Sequence, residues 1–174
     1  MTGFDIDDSV VEACRSQGLN AMHYDGRQLP VSSESFDAVV AWHVIEHVAD
    51  VRETLTDWYR VLRPGGVMVV DTPDASSPKI KRLGAQYRQF WAAEHTYTFA
   101  YGNLSRFAEQ AGFEVLADPG LGEIDRLRWI GRGYAYFYHM WSGARRQAGL
   151  DKAFSLFARK PVCAAVATPL KRVA

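Results

Sequence analysis

The chain has 174 residues, 48% apolar and 23% charged, with a formal net charge of zero; that suits one soluble domain and excludes a disordered, collagen-like or disulfide-scaffold chain. No apolar run reaches the roughly 18 to 20 residues of a membrane span, and the acidic opening MTGFDIDD predicts no secretory leader. Cys14 and Cys163 are too few for a disulfide framework or metal cluster, so the expected compartment is the reducing cytosol.

The elements follow in chain order. Met1–Asp5 reads as the end of a strand. Asp7 and Asp8 are placed to cap a helix over Ser9–Gln17, which Gly18 ends. A strand is expected at Asn20–Tyr24, then a loop through Pro30. Phe36–Trp42 (FDAVVAW) is a continuous apolar run, as in a strand covered on both faces. Asp50 and Glu53 form a capping box. Behind them Val51, Leu55, Trp58, Tyr59 and Leu62 fall at offsets 0, 4, 7, 8 and 11, one face of a helix. Pro64-Gly65-Gly66 stops it, and Val67–Thr72 is a further buried strand. After the loop PDASSP and an irregular aromatic region to Tyr101, the stripe Leu104, Phe107, Ala108, Ala111 predicts a helix closed by Gly112. Phe113–Asp118 reads as a strand. Strands separated by helices of this length imply βαβ crossovers, hence an α/β, doubly wound, mostly parallel sheet.

Beyond residue 121 the pattern changes, which divides the chain into a core (1–121) and a basic aromatic segment (122–174). The core carries 10 Lys and Arg against 17 Asp and Glu, and the segment 10 against 3. Trp129, Ile130, Tyr134, Phe137 and Trp141 interleave there with Arg126, Arg128, Arg132, Arg145 and Arg146. A weaker helical stretch is expected around Phe154–Arg159. A helical cap over an acceptor site is the first reading of this segment. Peripheral contact with a membrane surface is the second, and single-stranded nucleic acid is the last. Docking of the basic segment on the acidic body is the plain alternative.

In a doubly wound sheet ligands bind beyond the carboxyl ends of the strands, so the residues just after each strand matter most. Asp5 ends the first strand, where a carboxylate accepts from hydroxyls such as those of a ribose, with Ile6 beside it as an apolar face for a purine. Asp25-Gly26 follows the second strand, where a carboxylate accepts from an amino group and a glycine lets its N–H approach a ring. Helix capping at Asp5 and a simple Asp-Gly turn are the structural alternatives.

The succession GFDID, YDGRQLPVSSESFDAVVAWHVIEHV and RVLRPGGVMVVDTP resembles the class I S-adenosylmethionine-dependent methyltransferases. More narrowly, EHTYTFAYGNLSRFAEQAGFEV resembles the branch with a His, an aromatic pair and an AGFEV strand in its C-terminal half. The likeness runs from about Met1 to Asp118. It implies a Rossmann-like sheet, S-adenosyl-L-methionine as cofactor, and methyl transfer to a small-molecule or glycan-type acceptor, at oxygen before nitrogen or carbon. Asp5 and Ile6 would hold ribose and adenine, Asp25 and Gly26 the adenine edge, and Ala41, Trp42 and His43 the methionine end and acceptor side. The family's opening strand with its GxGxG turn has no counterpart here, and neither, on this reading, does the closing antiparallel strand. In the family order 3-2-1-4-5-7-6 that leaves two open edges or a direct pairing of strand 2 with strand 4. The alternative function is therefore a catalytically inactive fragment or pseudoenzyme acting as a binding module through its basic segment.

Histidine supplies the candidate bases. His95, in the aromatic region that the family places over the acceptor, and His43, after the third visible strand, are the candidate catalytic residues. His43-Val44-Ile45-Glu46-His47 also matches the H-x-x-E-H pattern of inverted zinc proteases. It follows a parallel strand and lies where the family places an E-H dipeptide. The resemblance therefore implies that Glu46 and His47 start the next helix and shape the acceptor pocket, with no metal assigned and an ion at His43, Glu46 and His47 left open.

Overall fold

The structure, a computed structural model, describes residues 1–86, 95–116 and 153–162. Residues Gly3–Asp5 (β1) and Ala21–His23 (β2) pair in parallel across the helix Asp8–Ser16 (α1). Asp7 caps that helix, its carboxylate accepting from the Ser9 amide at 2.8 Å and so satisfying one of the free amides of the first turn. Residues Phe36–Trp42 (β3), the helix Val51–Val61 (α2) and Leu62–Pro73 (β4) make a second parallel crossover. Asp50 caps α2 by accepting from the amides of Arg52 (2.7 Å) and Glu53 (3.0 Å). The apolar stripe of α2 faces inward, with Leu55 and Leu62 fully buried.

The short helix Pro78–Leu83 (α3) is capped by Ser77, and Tyr101–Gln110 (α4) leads to Glu114–Leu116 (β5). Leu104 and Ala108 bury the predicted stripe of α4 against one core with Ile45, Trp58, Met68 and Phe99. The loop between β2 and β3 is bound to α2. Asp57 accepts from the Leu29 amide at 2.8 Å, and Arg60 bonds Asp57 and the carbonyls of Leu29 and Val31.

Two expectations are overturned. Ala153–Arg159 is a strand (β6), not a helix, and it runs antiparallel between β4 and β5, giving the order β3-β4-β6-β5. The closing antiparallel strand is thus present. Its sequence AFSLFAR has neither a period of two nor one of 3.6, because Ser155, Leu156 and Ala158 are all buried between neighbours. Strand identity here comes from the ladders on both sides. At the end of β6 the Lys160 amide bonds the Gly66 carbonyl and the Gly65 amide bonds the Lys160 carbonyl, so the Pro64-Gly65-Gly66 turn joins the sheet. A Cβ at Gly66 would stand 2.8 Å from the Arg63 carbonyl oxygen, so the chain passes there only as glycine.

The pair β1-β2 forms a separate sheet, and among the described residues no strand lies between β1 and β3. Direct pairing of these edges does not occur; the Phe4 and Phe36 rings meet edge to face at 6.0 Å instead. With that gap, the observed neighbours follow the family order throughout.

The aromatic segment from Trp129 to Trp141, and the helical cap expected of it, lie outside the described residues. Two of the basic side chains from the C-terminal third are described, and both dock on the body. Arg159 bonds Glu114 at 2.8 Å. Lys160, 8% exposed, donates to the Leu62 carbonyl at 2.8 Å and lies 4.7 Å over the Tyr59 ring. Among the described residues no helix is long and apolar enough to cross a membrane.

Candidate active site

Two groups of side chains gather beyond the carboxyl ends of the strands. The first is at β1 and β2. Asp5 ends β1 and is half-buried, and one of its oxygens accepts from the Asp7 amide at 2.9 Å. Asp25 follows β2, and one of its oxygens accepts from the amides of Arg27 (3.0 Å) and Gln28 (3.3 Å). These amides hold the Asp25 carboxyl below its usual range, Arg27 contributing most. Each acid thus locks a local turn with one oxygen. Ile6 stays 64% exposed despite its apolar side chain, and the Cβ that Gly26 lacks would sit 3.5 Å from its Cγ2. Gly26 has φ +81°, so a side chain there would be strained, while its Cβ would meet Ile6 only at ordinary contact distance. Tyr24, missed by the sequence reading, belongs to this group. Desolvation, then the charges of Asp5, Asp57 and Asp25, push its hydroxyl above its ordinary pKa. Its place immediately before Asp25 was the available signal.

The second group is at β3 and β4. Ala41 is 5% exposed and points into the core, so its side chain lines nothing outside it. Strand alternation puts Trp42, 38% exposed, on the other face. His43 then takes a left-handed backbone, φ 51°, which costs a non-glycine residue about 1 to 3 kcal/mol. Its amide donates to the Asp71 carbonyl at 2.9 Å, continuing the ladder with β4. The turn brings the imidazole between two buried carboxylates: Nδ1 lies 3.0 Å from Glu46 Oε1, and Nε2 lies 3.6 Å from Asp71 Oδ1.

Both carboxylates are held from behind. Thr72 Oγ1 donates to Glu46 Oε2 at 2.9 Å, and Ser155 Oγ donates to Asp71 Oδ2 at 2.8 Å. A buried charge without such donors would be costly. Asp71 stands at the end of the VMVV run, so the strand-end rule that selected Asp5 also marks it. Nothing local marks Thr72 or Ser155. His95 reaches the same region from the other side, its ring 4.8 Å from that of His47. The Glu46 carbonyl accepts from the amides of Thr96 (2.9 Å) and Tyr97 (3.0 Å), which fastens the His95 segment over the turn after β3. Glu46 and His47 lie in that turn and do not start the next helix, which begins at Val51.

An open α/β sheet with paired acids after its first two strands and a polar cluster after the next two defines a nucleotide-cofactor-binding domain. The chain belongs to the methyltransferase domain family, whose model matches residues 1–118. It is 33% identical over 131 residues to a protein of Mycolicibacterium smegmatis described as a probable S-adenosylmethionine-dependent methyltransferase, covering 71% of this chain and 49% of that one. It is 27% identical over 137 residues to a demethylmenaquinone methyltransferase of Staphylococcus aureus, covering 65% and 57%. A solved S-adenosylmethionine-dependent methyltransferase of Thermotoga maritima superposes with a TM-score of 0.58 at 25% identity, over 65% of this chain and 54% of that one. The chain therefore spans about half the length of the curated relatives it matches. S-adenosyl-L-methionine is the cofactor of this family of proteins. The residues of the first group fit its adenosine half: two acids after paired strands, an exposed apolar side chain, and beside it a glycine with positive φ.

Proposed function

We propose that the protein transfers a methyl group from S-adenosylmethionine to an oxygen of a small-molecule or glycan-type acceptor. The observation that carries this reading is the convergence of Asp5, Ile6, Asp25 and Gly26 at one end of two paired parallel strands. The second oxygen of Asp5 takes the ribose hydroxyls, that of Asp25 takes the adenine amino group, and Ile6 packs on the purine. When bound, the cofactor supplies a methyl group on a positively charged sulfur, open to in-line attack.

The chain's own part is alignment, water exclusion and removal of one proton. Trp42 lines the methionine end, beside the backbone of Ala41. His43 takes the acceptor proton at Nε2. Glu46 keeps the imidazole in the required tautomer by accepting from Nδ1 at 3.0 Å, and the imidazolium formed lies between Glu46 and Asp71. His95 is the second histidine able to serve, from the segment fastened over Glu46. The compartment proposed is the cytosol, with the basic aromatic residues from Arg126 to Arg146 as the part that would meet a membrane surface.

Calorimetric titration with S-adenosylhomocysteine tests the reading. Asp5→Ala and Asp25→Ala should each weaken binding about ten- to a hundredfold, since each removes a charged acceptor of a ligand hydrogen bond. Binding equal to the parent in both variants would remove the assignment. A parent that does not bind would favour the binding-module reading of the chain.

A further inference from the structure

We propose that Glu46, His47 and His95 bind a divalent transition-metal ion of the zinc type. One ligand atom from each lies within 4.8 Å of the others. Zinc takes nitrogen and carboxylate oxygen at about 2.0 to 2.2 Å, so small rotations about the side chains of His47 and His95 bring the three onto one ion. His47 is exposed and His95 half-exposed, whereas Glu46 is 1% exposed and stays fixed.

The surroundings of Glu46 are those of an oriented metal ligand. Its two oxygens are held by His43 Nδ1 at 3.0 Å and Thr72 Oγ1 at 2.9 Å, and such outer contacts fix a ligand's direction. Its carbonyl holds Thr96 and Tyr97, and the Tyr97 hydroxyl bonds the Ala49 carbonyl at 3.0 Å. The residue that would contribute the carboxylate therefore also fixes the segment that delivers the second imidazole. Two imidazoles and one carboxylate suit zinc, iron, cobalt or nickel, and not magnesium or calcium, which take all-oxygen shells. Three protein ligands leave an open position for water or an acceptor oxygen.

The H-x-x-E-H pattern thus contributes only its second half. His43 is the outer contact of Glu46, and with the ion on His95 it remains the proton acceptor. The site itself does not depend on methyl transfer, because its ligands are independent of Asp5 and Asp25.

Cobalt(II) titrated into the full chain without cofactor should bind at one equivalent, develop visible ligand-field absorption, and be displaced by zinc but not by magnesium. His47→Ala and His95→Ala should each weaken cobalt binding by about a hundredfold or more, beyond the loss typical of an outer-contact change. His23→Ala, at the end of β2, should leave it unchanged. Glu46→Gln should match the histidine variants, with circular dichroism confirming that it folds; where it does not, the two histidine variants decide. Absence of binding to the folded parent, or binding that survives both histidine substitutions, would overturn the proposal.

Discussion

Ser155 Oγ donates a 2.8 Å hydrogen bond to Asp71 Oδ2, and the two residues are register partners across β6 and β4. Asp71 presents its other oxygen to His43 Nε2 at 3.6 Å. A strand near the end of the described chain thus holds a carboxylate of the candidate active site. Ser155→Ala removes one donor to an acid that is 5% exposed, and should cost about 1 to 3 kcal/mol. Urea unfolding of parent and variant measures it. An unchanged midpoint with an unchanged slope would mean that Asp71 does not rely on β6.

The left-handed backbone of His43 predicts an inverted order of two substitutions. Both His43→Ala and His43→Gly remove the imidazole and should reduce methyl transfer. At an ordinary strand-end position glycine would be the less stable by about 0.5 to 1 kcal/mol. At φ 51° alanine keeps the Cβ strain and glycine relieves it, so His43→Gly should be the more stable by about 1 kcal/mol. Thermal unfolding of the pair reads the difference directly, and alanine proving the more stable would refute strain at this turn.

Tyr24 predicts an alkaline limit to stability. Burial first, then Asp5, Asp57 and Asp25, raise its pKa above 10.0 in the folded state. Below that value the hydroxyl is neutral in folded and unfolded chains, and its contribution is complete. As pH rises past it the unfolded chain ionises first, so stability falls until the folded hydroxyl also titrates. Tyr24→Phe should flatten this alkaline loss. Denaturation midpoints taken across the alkaline range provide the check, and equal slopes for parent and variant would count against it.

The α/β class was legible in the sequence because its signals are local. Asp7 and Asp50 lie beside the amides they cap, and FDAVVAW and the stripe from Val51 to Leu62 show their periods within a dozen residues. The positions of Asp5, at the end of β1, and Asp25, two residues past β2, were legible for the same reason. Tertiary structure alone decided three things. It made Ala153–Arg159 a strand, because both edges beside it had unpaired backbone groups that outweigh a weak local pattern. It turned Ala41 into the core while leaving Trp42 outward, a matter of which face of β3 is covered. It brought His43 to Asp71 and His47 to His95, pairs joined only when β3, β4 and the segment over Glu46 are in place. Hydrogen-bond ladders and packing set such long-range distances, and no spacing within the sequence encodes them.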